Sequence, residues 1–441
     1  MGAGGRMAAV QNGAERTRVA VVGSGVAGLT AAYLLQRRYD VLLFEADDRL
    51  GGHAHTHDLA DPGAGALAVD SGFIVHNERT YPNLLRLFRE LGVATRETEM
   101  SMSVRCLGCG LEYAGAKGPS GVFARPGNAL GLRFLRMLGE IKRFHRHAGR
   151  LLAAPTNQPS MTGGTLGRFL QEGGYSRYFA DHFLVPLVSA VWSTGPDLVL
   201  RYPARYLFEF LDHHGMLSVT GSPRWRTVVG GSRNYVERAV KGLSAVNVST
   251  PVRAVRRGAS GVTLWDGSGT RYEVYGVVLA THPDQALRML ADPTPSERAV
   301  LGAIRYARNE TVLHTDASLL PQRTAARSCW NYLVPRCGAR LGPSTERAVV
   351  TYHMNRLQRF NAELDYLVTL NASAAIAEEH VLARMVYEHP VYTPESVAAQ
   401  ARLPELTTDR TAYAGAYHGW GFHEDGCASG VAAATAFGVR W

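Results

Sequence analysis

A short apolar strand followed at once by a glycine-rich turn constrains the fold of this chain more than any other feature. Residues 19–22 form a run of small and β-branched apolar residues, which is typical of a strand buried on both faces of a parallel sheet. Gly23, Gly25 and Gly28 follow, and residues 29–37 are helix-forming. In such a turn the first glycine allows a tight bend, the second lets backbone amides approach a pyrophosphate, and the third lets the helix pack on the strand. The order predicts a dinucleotide-binding unit.

A second apolar run ends in an acid at the spacing that this unit requires. Residues 41–44 are followed by Glu45, which lies 22 residues after Gly23. An acid that closes the second strand can accept hydrogen bonds from an adenosine ribose. A glycine turn alone is weak support, because the chain has 47 glycines and a turn that binds nothing is the alternative. The flanking strands and the acid together favour a bound nucleotide.

The residues after the second strand favour a flavin over a nicotinamide. Arg49, Gly51, Gly52 and Thr56 stand in an RxGGxxxT pattern. This pattern resembles a segment of the flavin amine oxidase and phytoene desaturase superfamily that wraps around the FAD pyrophosphate and the flavin edge. His53 stands where an arginine often follows the paired glycines in amine oxidases, so we expect different flavin contacts there. The resemblance implies FAD as the cofactor.

Later segments carry the same resemblance. Residues 70–73 are similar to the DxGxxx segment near the cofactor, and residues 230–232 to the GG motif that returns the chain to the FAD domain. Residues 250–255 resemble a strand whose backbone, here at Val252, meets adenine, and residues 277–281 resemble a strand near the diphosphate. The resemblance is therefore spread along the chain.

The segment 415–426 is the closest match to the superfamily. It resembles the final motif, a loop entering a helix whose N-terminus points at the flavin pyrimidine and ribityl chain. A helix N-terminus carries roughly half a positive charge, which would stabilise an anionic reduced flavin. With residues 77–83 and 351–357, this motif is similar to the bacterial "predicted NAD/FAD-binding protein" branch of the flavin-containing amine oxidoreductases. The resemblance covers roughly residues 18–440.

The resemblance implies FAD-binding residues in each of these segments. They belong to the glycine turn, to the end of the second strand, to the paired glycines and to the later motifs. We expect all of them to lie at or near the cofactor. The predicted FAD-binding residues are Gly23, Ser24, Gly25, Val26, Ala27, Gly28, Glu45, Ala46, Arg49, Gly51, Gly52, His53, Ser71, Gly72, Phe73, Val252, Ala280, Phe422, Asp425 and Gly426.

The implied fold class is α/β, with a Rossmann-type FAD-binding domain of the glutathione-reductase kind and an inserted α+β substrate domain that contains an antiparallel sheet. The length of 441 residues exceeds what one core usually serves, which also favours two domains. We expect a disordered tail at the start of the chain. The predicted bounds are 1–16 for the tail, 17–98, 226–304 and 405–441 for the FAD domain, and 99–225 and 305–404 for the substrate domain.

Hydrophobic patterns indicate how the two insertions fold. Residues 134–152 have the spacing of an amphipathic helix, and residues 178–192 form an apolar stretch. In the second insertion, four short runs alternate apolar and polar residues, which predicts an antiparallel sheet with one face on a cavity. These runs are 311–315, 329–334, 348–352 and 366–370.

The reacting atom of a flavoenzyme of this kind is N5, which accepts a hydride. Many amine oxidases place a lysine near N5, in the region that corresponds to residues 306–311 here. The chain has three lysines, Lys117, Lys142 and Lys241, and none is in that region. Lysine-assisted amine oxidation is therefore disfavoured. The candidate catalytic residues are Asn309 and Glu310 near N5 and Tyr417, His418 and Trp420 in the final loop, with ordinary packing as the alternative for each.

The missing lysine and the resembled branch favour dehydrogenation, or desaturation, of a fatty-acyl or similar apolar substrate. Some members of that branch are implicated in desaturating methyl-branched acyl chains. The alternatives are an amine or amino-acid oxidase that uses O2, a redox-neutral flavin isomerase, and a flavoprotein that only binds a partner. Oxygen, a quinone and another carrier are all compatible with the sequence as the electron acceptor.

Charge and hydropathy limit the partners. The chain has 47 basic and 38 acidic residues, a net charge of +9, but no block of five or six basic residues, so we expect no nucleic acid. A basic protein with a small, lipid-like substrate could contact an anionic membrane peripherally. No leader-like segment opens the sequence and no apolar run reaches the ~18 residues of a spanning helix. We expect a cytoplasmic protein.

Histidines and cysteines offer rival sites. His53, His55 and His57 alternate, and an extended segment would present all three on one face, as a metal site requires. They lie where the superfamily wraps FAD, so we expect no metal there.

Cys106 and Cys109 form a CxxC pair, which in other contexts holds zinc or acts as a redox dithiol. The remaining candidates, Cys329 and Cys337, are eight residues apart and do not form a second CxxC. We therefore expect no metal at these cysteines. Cys427 in the final motif makes a covalent flavin link conceivable, with packing as the alternative.

Overall fold

The computed structural model describes residues 16–155, 164–218, 221–338 and 347–441. The tail expected to be disordered, residues 1–16, lies outside these ranges except for its last residue. In the described part of the chain the strands form five sheets, of which a five-stranded and a seven-stranded sheet are the largest. The strands are β1 (Arg18–Val22), β2 (Asp40–Phe44), β3 (Thr56–Asp61), β4 (Gly65–Asp70), β5 (Val75–Asn77), β6 (Thr95–Glu97), β7 (Met102–Cys106), β8 (Glu112–Ala114), β9 (Trp225–Val228), β10 (Ala245–Asn247), β11 (Val252–Arg257), β12 (Val262–Asp266), β13 (Arg271–Val274), β14 (Gly276–Leu279), β15 (Arg305–His314), β16 (Trp330–Val334), β17 (Val349–His353), β18 (Leu367–Leu370), β19 (Val381–Val391) and β20 (Thr411–Tyr413).

Helices cover the sheets and fill the first insertion. The longest described helix has 22 residues. Short 3-10 turns connect several of the elements. The helices are α1 (Val26–Leu35), α2 (Pro82–Leu91), α3 (Gly118–Val122), α4 (Leu132–Ala153), α5 (Leu166–Glu172), α6 (Arg177–Phe179), which continues into a π-helical segment (Ala180–Leu184), α7 (Val185–Trp192), α8 (Pro196–Val199), α9 (Ala204–His213), α10 (Arg233–Val240), α11 (Pro283–Met289), α12 (Pro295–Ala303), α13 (Met354–Leu357), α14 (Pro394–Gln400) and α15 (His423–Ala436).

The five-stranded sheet is parallel and has the order β10-β2-β1-β14-β20. Residues 19–22 of its central strand are at most 4% exposed, as a strand covered on both faces should be. One face packs on α1 and α15. The other packs on the antiparallel sheet β11-β12-β13, where the rings of Phe44 and Tyr272 lie 4.9 Å apart between centroids. This arrangement is the expected Rossmann-type domain, and the turns after β1, β2 and β14 meet at its carboxyl edge.

Glycines allow α1 to pack closely on both β1 and α15. A Cβ added at Gly28 would lie 1.9 Å from the carbonyl oxygen of Gly23. A Cβ added at Gly430 would lie 2.4 Å from the carbonyl oxygen of Ala27, and one at Gly426 would lie 2.6 Å from Val26 Cγ1. The start of α15 is therefore held against the first turn of α1, beside the glycine turn.

The seven-stranded sheet has the order β19-β15-β18-β17-β16-β7-β8. The four strand-like runs expected in the second insertion correspond to β15, β16, β17 and β18. These four strands pair with one another antiparallel, which confirms the expected antiparallel sheet, and β7 joins the sheet by pairing with β16 in parallel. β7 comes from the first insertion and adds to the sheet from a distant part of the chain. The sequence patterns also missed β7, β8 and the eleven-residue β19.

The first insertion is mostly helical. The amphipathic pattern at 134–152 corresponds to α4, and the apolar stretch 178–192 to the continuous run from α6 through the π-helical segment to α7. The ring of Phe144 on α4 lies 5.3 Å from that of Phe208 and 5.7 Å from that of Phe179. These contacts tie α4, α6 and α9 into one apolar core.

Strands from both insertions, β7, β8 and β15 to β19, share one sheet. β9 lies across the expected boundary at 225/226 and pairs with β5 and β6 of the first FAD segment. The division of the chain into the predicted domain bounds stays a prediction. Among the described helices, none has the length and apolarity that crossing a bilayer requires.

Candidate active site

A cavity of about 820 Å³ runs from the carboxyl edge of the parallel sheet to the seven-stranded sheet and the helices of the first insertion. The turns after β1, β2 and β14 line one part, and residues of β16, β17, β19, α7, α9 and the loop before α15 line much of the rest. Most of the predicted FAD-binding residues are on its wall. Those that line it are Gly23, Ser24, Gly25, Val26, Ala27, Glu45, Ala46, Gly52, His53, Ser71, Gly72, Phe73, Val252, Ala280 and Phe422.

The other predicted FAD-binding residues, Gly28, Arg49, Gly51, Asp425 and Gly426, lie behind this wall. The Arg49 guanidinium donates a hydrogen bond to the Gly52 carbonyl at 2.8 Å. Gly51, with φ +109°, turns the chain so that its amide meets the glycine turn. Asp425 accepts a hydrogen bond from the backbone amide that precedes α15, at 2.8 Å. These residues hold the residues of the wall in place.

The glycine turn leaves space for a ligand to approach. Gly23 has φ +99°, a left-handed conformation that glycine adopts without strain. A Cβ added at Gly25 would meet no atom of the described residues within 4 Å. At Gly52, an added Cβ would lie 3.1 Å from the Cα of Gly25. The turn therefore offers its backbone to a ligand at Gly25.

Glu45 lies beside this turn, directly after β2. Its Oε2 accepts hydrogen bonds from the backbone amide of Ser24 at 2.9 Å and from the Ser24 hydroxyl at 2.5 Å. Its Oε1 accepts one from the amide of Asp47 at 3.1 Å. The carboxylate is fixed at the position from which an acid can bind a ribose hydroxyl.

Side chains of β19 form a polar patch on the opposite wall. The ring of His53 lies 4.9 Å from that of Tyr387 and 5.3 Å from that of His389, between centroids. The Tyr387 hydroxyl is 2.7 Å from Ser71 Oγ and 3.0 Å from His55 Nδ1. His53 Nε2 has no hydrogen-bond partner among the described residues. This nitrogen is available to a ligand.

Tyr387 and His389 are not among the residues predicted from the sequence, because Pro390 within the run argues against a strand. Their spacing of two residues is the pattern that could have placed both on one face. β19 tolerates the proline because it lies at the edge of its sheet. Sequence patterns also gave no indication of His282 and Tyr306, whose stacked rings line the cavity with centroids 3.9 Å apart.

Asn309 and Glu310 do not line the cavity, and their expected place near N5 stays a prediction. Asn309 is 2% exposed, and its Nδ2 donates to His389 Nδ1 at 3.0 Å. Glu310 is exposed, and its carboxylate accepts a hydrogen bond from the Ser373 hydroxyl at 3.2 Å. On β15 the residue that lines the cavity is Tyr306. Asn309 is thus one residue away from the cavity, in contact with the His389 ring that lines it.

The loop before α15 contributes one of its three candidate catalytic residues to the wall. Tyr417 is 1% exposed, lines the cavity and has a hydroxyl without a partner among the described residues. His418 and Trp420 are not part of the wall. The Trp420 carbonyl accepts a hydrogen bond from Trp192 Nε1 at 2.9 Å. Trp420 thus positions Trp192, which does line the cavity.

The part of the cavity between helices α7 and α9 and strands β9, β16 and β17 is apolar and rich in rings, and we call it the aromatic region. Ring centroids are 4.6 Å apart for Trp192 and Phe210, and 5.4 Å apart for Trp330 and Tyr352. None of its described residues is a lysine, an arginine or a carboxylate. The aromatic region consists of Met100, Val191, Trp192, Phe210, His214, Met216, Trp225, Trp330 and Tyr352.

Burial keeps the histidines of the cavity neutral. Loss of solvent lowers the pKa of His53 well below its usual range, and it lowers the pKa of His389 and of His214 to about 4. The same cause lowers the pKa of His423 to about 3. At neutral pH these rings add hydrogen-bonding groups to the wall but no charge.

At the rival sites, His55 and His57 of the histidine row and Cys427 make contacts within the protein. The rings of His55 and His57 lie 4.1 Å apart, and His57 Nε2 is 2.9 Å from Ser71 Oγ. Cys427 is fully buried on α15, where its Sγ accepts a hydrogen bond from Thr30 Oγ1 at 3.4 Å. Cys427 does not line the cavity.

The family to which the chain belongs follows from comparison with known sequences. The family model described as flavin containing amine oxidoreductase matches residues 26–314, more than half of the chain. This chain is a member of the flavin-containing amine oxidoreductase family. FAD as the cofactor and the class of FAD-dependent oxidoreductase are thereby confirmed.

The names of two known relatives of this oxidoreductase indicate different substrates. Coproporphyrinogen III oxidase of Mycobacterium leprae is 26% identical over 308 residues, which are 66% of this chain and 65% of the relative. A putative flavin-containing monoamine oxidase of Mycobacterium tuberculosis is 28% identical over 296 residues, 65% of this chain and 61% of the relative. The matches thus span slightly less than two thirds of these relatives' length.

Solved structures share the fold of this oxidoreductase over nearly its full length. Cyclohexylamine oxidase from Brevibacterium oxydans has a TM-score of 0.67 at 17% identity, covering 96% of this chain and 98% of that one. A fatty acid isomerase from P. acnes that produces CLA has a TM-score of 0.67 at 16% identity, covering 96% and 99%. At these identities the likeness establishes the fold alone. An amine oxidase and a fatty acid isomerase both have this fold.

The cavity of this oxidoreductase fits the cofactor of its family. The backbone at Gly25 faces space that a protein side chain does not fill, beside a fixed carboxylate at Glu45. The buried His53 Nε2 and Tyr417 hydroxyl, both on the wall, lack partners among the described residues. These are the acceptor, the donors and the space that a dinucleotide requires.

Proposed function

We propose that this oxidoreductase dehydrogenates an apolar substrate, in the simplest case by desaturating a fatty-acyl chain. The observation that carries the proposal is the aromatic region, whose described residues include no charged side chain. An apolar chain loses nothing by leaving water for such a wall, whereas a charged ammonium would lose its hydration without gaining an ion pair. The lysine of many amine oxidases has no counterpart on the described wall.

When bound, FAD would supply the oxidant, because its N5 is the position that takes up a hydride from a substrate carbon. We propose that Gly25 and Ser24 hold the pyrophosphate, that Glu45 holds the ribose and that the backbone at Val252 meets the adenine. The second hydrogen leaves the neighbouring carbon as a proton. The neutral imidazole of His53, whose Nε2 has no described protein partner, is available to accept it.

The proposal is tested by flavin reduction without oxygen. The purified enzyme is mixed anaerobically with phospholipid vesicles that carry methyl-branched acyl chains and, separately, with a panel of amines. We expect the lipid to bleach the flavin absorbance and a double bond to form in the acyl chain. Bleaching by amines alone would contradict the proposal.

A variant pair ties this activity to the aromatic region. Met216→Glu introduces a carboxylate on the cavity wall and should abolish reduction by lipid while the bound flavin remains. Leu382→Glu is the control, because Leu382 is 44% exposed on β19 and outside the wall. Equal activity in both variants would show that the substrate does not enter the aromatic region.

Oxidation of a neutral amine by O2 is the second candidate. It is supported by the ring faces of Trp330 and Tyr352, which could enclose an uncharged amine, and by the amine oxidases with the same fold. Hydrogen peroxide release on addition of amines would favour it. Redox-neutral isomerisation is supported by the fatty acid isomerase of the same fold. An acyl product with a displaced double bond and no net flavin reduction would identify it.

We further propose that the protein meets its substrate at an anionic membrane from the cytoplasmic side. Leu130 and Leu132, just before and within the first turn of α4, are 86% and 82% exposed. The exposed Arg133 and Arg136 follow on the same helix. Exposed leucines beside arginines are suited to the headgroup layer of an anionic bilayer. The net charge of +9 adds a general attraction to such a surface.

A further inference from the structure

Outside the cavity, the fold brings together three cysteines and a histidine. The sulfur atoms of Cys106, Cys109 and Cys337 and a ring nitrogen of His182 all lie within 4.8 Å of one another. Cys109 Sγ and His182 Nε2 are 3.4 Å apart. Around a tetrahedral zinc, ligand atoms are roughly 3.5 to 3.8 Å apart, given its usual bonds to sulfur and nitrogen. We propose that this cluster binds one Zn²⁺ as a closed, structural Cys₃His site.

The parallel pairing of β7 and β16 explains how Cys337 joins the CxxC pair. Cys106 is the last residue of β7 and lies opposite Val334, the last residue of β16. The two segments of the chain continue side by side for three more residues, to Cys109 and Cys337. Gly108 permits the close approach, since a Cβ there would lie 3.1 Å from the Cys337 amide and 3.2 Å from its sulfur. This pairing of distant segments is not visible in the spacing of the cysteines.

The turn after β7 has the backbone of a zinc-binding loop. The amide of Cys109 hydrogen-bonds to the Cys106 sulfur, and the amide of Leu111 to the Cys109 sulfur. Gly110 has φ +73°, a left-handed conformation that allows the chain to curl back over the sulfur atoms. Amides directed at the sulfurs stabilise thiolates, the form in which cysteine binds a metal.

The ring of His182 is oriented as that of a fourth ligand. Its Nδ1 is 3.0 Å from the Tyr178 carbonyl, to which it donates, so the proton is on Nδ1 and the lone pair on Nε2 faces Cys109. Metal-bound histidines are commonly oriented in this way. The residue lies in the π-helical segment, whose carbonyl at 182 accepts a hydrogen bond from the Tyr113 hydroxyl at 2.8 Å. The π-helical turn and the β7–β8 hairpin are thereby held in register.

The chemistry of the cluster favours zinc in a structural role. Three thiolates and one imidazole are the ligand set of closed tetrahedral zinc sites, which have no open position for a substrate. None of the four residues lines the cavity. On binding, the thiols release their protons to solvent, and the metal joins the hairpin, the π-helical segment and the chain after β16. Cys329 lies outside the cluster, and its thiol donates a hydrogen bond to the Glu99 carbonyl at 3.4 Å.

The zinc content of the purified flavoprotein tests the proposal. Elemental analysis of protein expressed with zinc in the medium should give about one zinc per chain. Cys109→Ser and Cys337→Ser should each lose most of it. Cys329→Ser is the matched control and should keep it, since this buried cysteine lies outside the cluster. Zinc that is absent from the wild type, or lost equally from the control, would overturn the proposal.

A second measurement does not depend on whether a variant folds. The wild-type protein, freed of zinc by a chelator, is titrated with Co²⁺. We expect a thiolate-to-cobalt charge-transfer band and the visible bands of a tetrahedral site, with saturation at about one cobalt per chain. If no such bands form, and peptide mapping shows Cys106 and Cys109 joined in a disulfide, the cluster is a redox pair and the zinc site is refuted.

Discussion

Three glycines of one turn have different physical roles. Gly28 is required by the protein itself, because a Cβ there would overlap the carbonyl oxygen of Gly23 at 1.9 Å. Gly23 is required by its backbone conformation, with φ +99°. Gly25 has an ordinary φ of −63° and open space around it, so neither packing nor conformation requires a glycine. A glycine is required at this position only when a ligand is bound.

The first prediction contrasts two substitutions in this turn. Gly25→Ala should leave the melting temperature of the flavin-free protein unchanged and weaken FAD binding by about 3 kcal/mol, roughly a hundredfold. Gly28→Ala should destabilise the fold by about 3 kcal/mol or more, since the overlap is with backbone. Thermal melts and flavin titrations of both variants measure this. A normal FAD affinity in Gly25→Ala would contradict our placement of the pyrophosphate.

The second prediction concerns Glu45. Glu45→Ala removes the acceptor of two hydrogen bonds from Ser24 and the proposed partner of the ribose. Hydrogen bonds to a charged group contribute roughly 1.5–3 kcal/mol, so the Kd for FAD should rise by about ten- to a hundredfold. Calorimetric titration of the deflavinated protein gives the value. The control is Glu310→Ala, on the exposed side of β15, and a loss of affinity there as well would indicate a general defect.

At the scale of elements, α15 connects the loop that lines the cavity to the helix that follows the glycine turn. Its glycines at 426 and 430 lie one turn apart and both touch α1. Its first turn carries Asp425, which accepts a hydrogen bond from the Phe422 amide at 2.8 Å. Phe422 and Tyr417 in the preceding loop are on the cavity wall. The position of this part of the cavity wall therefore depends on how α15 packs against α1.

The third prediction is a pH effect at the start of α15. Burial raises the pKa of Asp425 from 3.8 to about 7. Between about pH 4 and pH 7 the folded protein therefore holds a proton that the unfolded chain has released, and stability falls as the pH rises through this window. Asp425→Asn should flatten this fall by about 3–4 kcal/mol, at roughly 1.4 kcal/mol for each unit of pKa. Urea unfolding of the flavin-free protein at both ends of the window measures it.

Asp70 provides the internal control for this effect. Burial raises its pKa to about 6, so it lowers stability with rising pH in the same direction. Its carboxylate is retained in the Asp425→Asn protein, and part of the pH dependence should therefore persist. A pH profile identical to that of the wild type would show that Asp425 does not titrate in this range.

At the scale of the whole molecule, charge and exposed apolar groups act together. The chain carries a net charge of +9, and the start of α4 exposes Leu130 and Leu132. Electrostatic attraction is screened within roughly 8 Å at physiological ionic strength, whereas insertion of leucine side chains is not screened. Membrane binding by this surface should therefore have a salt-sensitive and a salt-resistant component.

The fourth prediction separates these components. The protein should sediment with vesicles that contain anionic phospholipid, less so at high salt, and only weakly with vesicles of neutral lipid. The double variant Leu130→Asp, Leu132→Asp should lose most of the binding that remains at high salt. Leu382→Asp, at an exposed leucine on β19 and not on α4, is the control. Equal binding to neutral and anionic vesicles would contradict the proposed surface.

The sequence could predict those parts of the site that local order defines. The strand, the turn, the helix and Glu45 follow one another along the chain, and each has a residue pattern with a physical reason. The aromatic region and the polar patch of β19 could not be predicted in this way, because Trp192, Phe210 and Tyr387 meet only through tertiary packing. For the same reason the sequence could not predict that Cys337 and His182 lie in one cluster, since a parallel strand pair and a π-helical turn bring them together.

The packing of α1 against α15 has a consequence for the order of events during synthesis. Thr30 and Cys427, which touch across this interface, are 397 residues apart in the chain. While the ribosome is still making the intervening residues, the glycine turn has its strand and its helix but lacks the loop that closes the cavity over it. Synthesis of α15 therefore precedes stable loading of the flavin, and until that helix is made the nascent chain carries a half-built pocket that faces water.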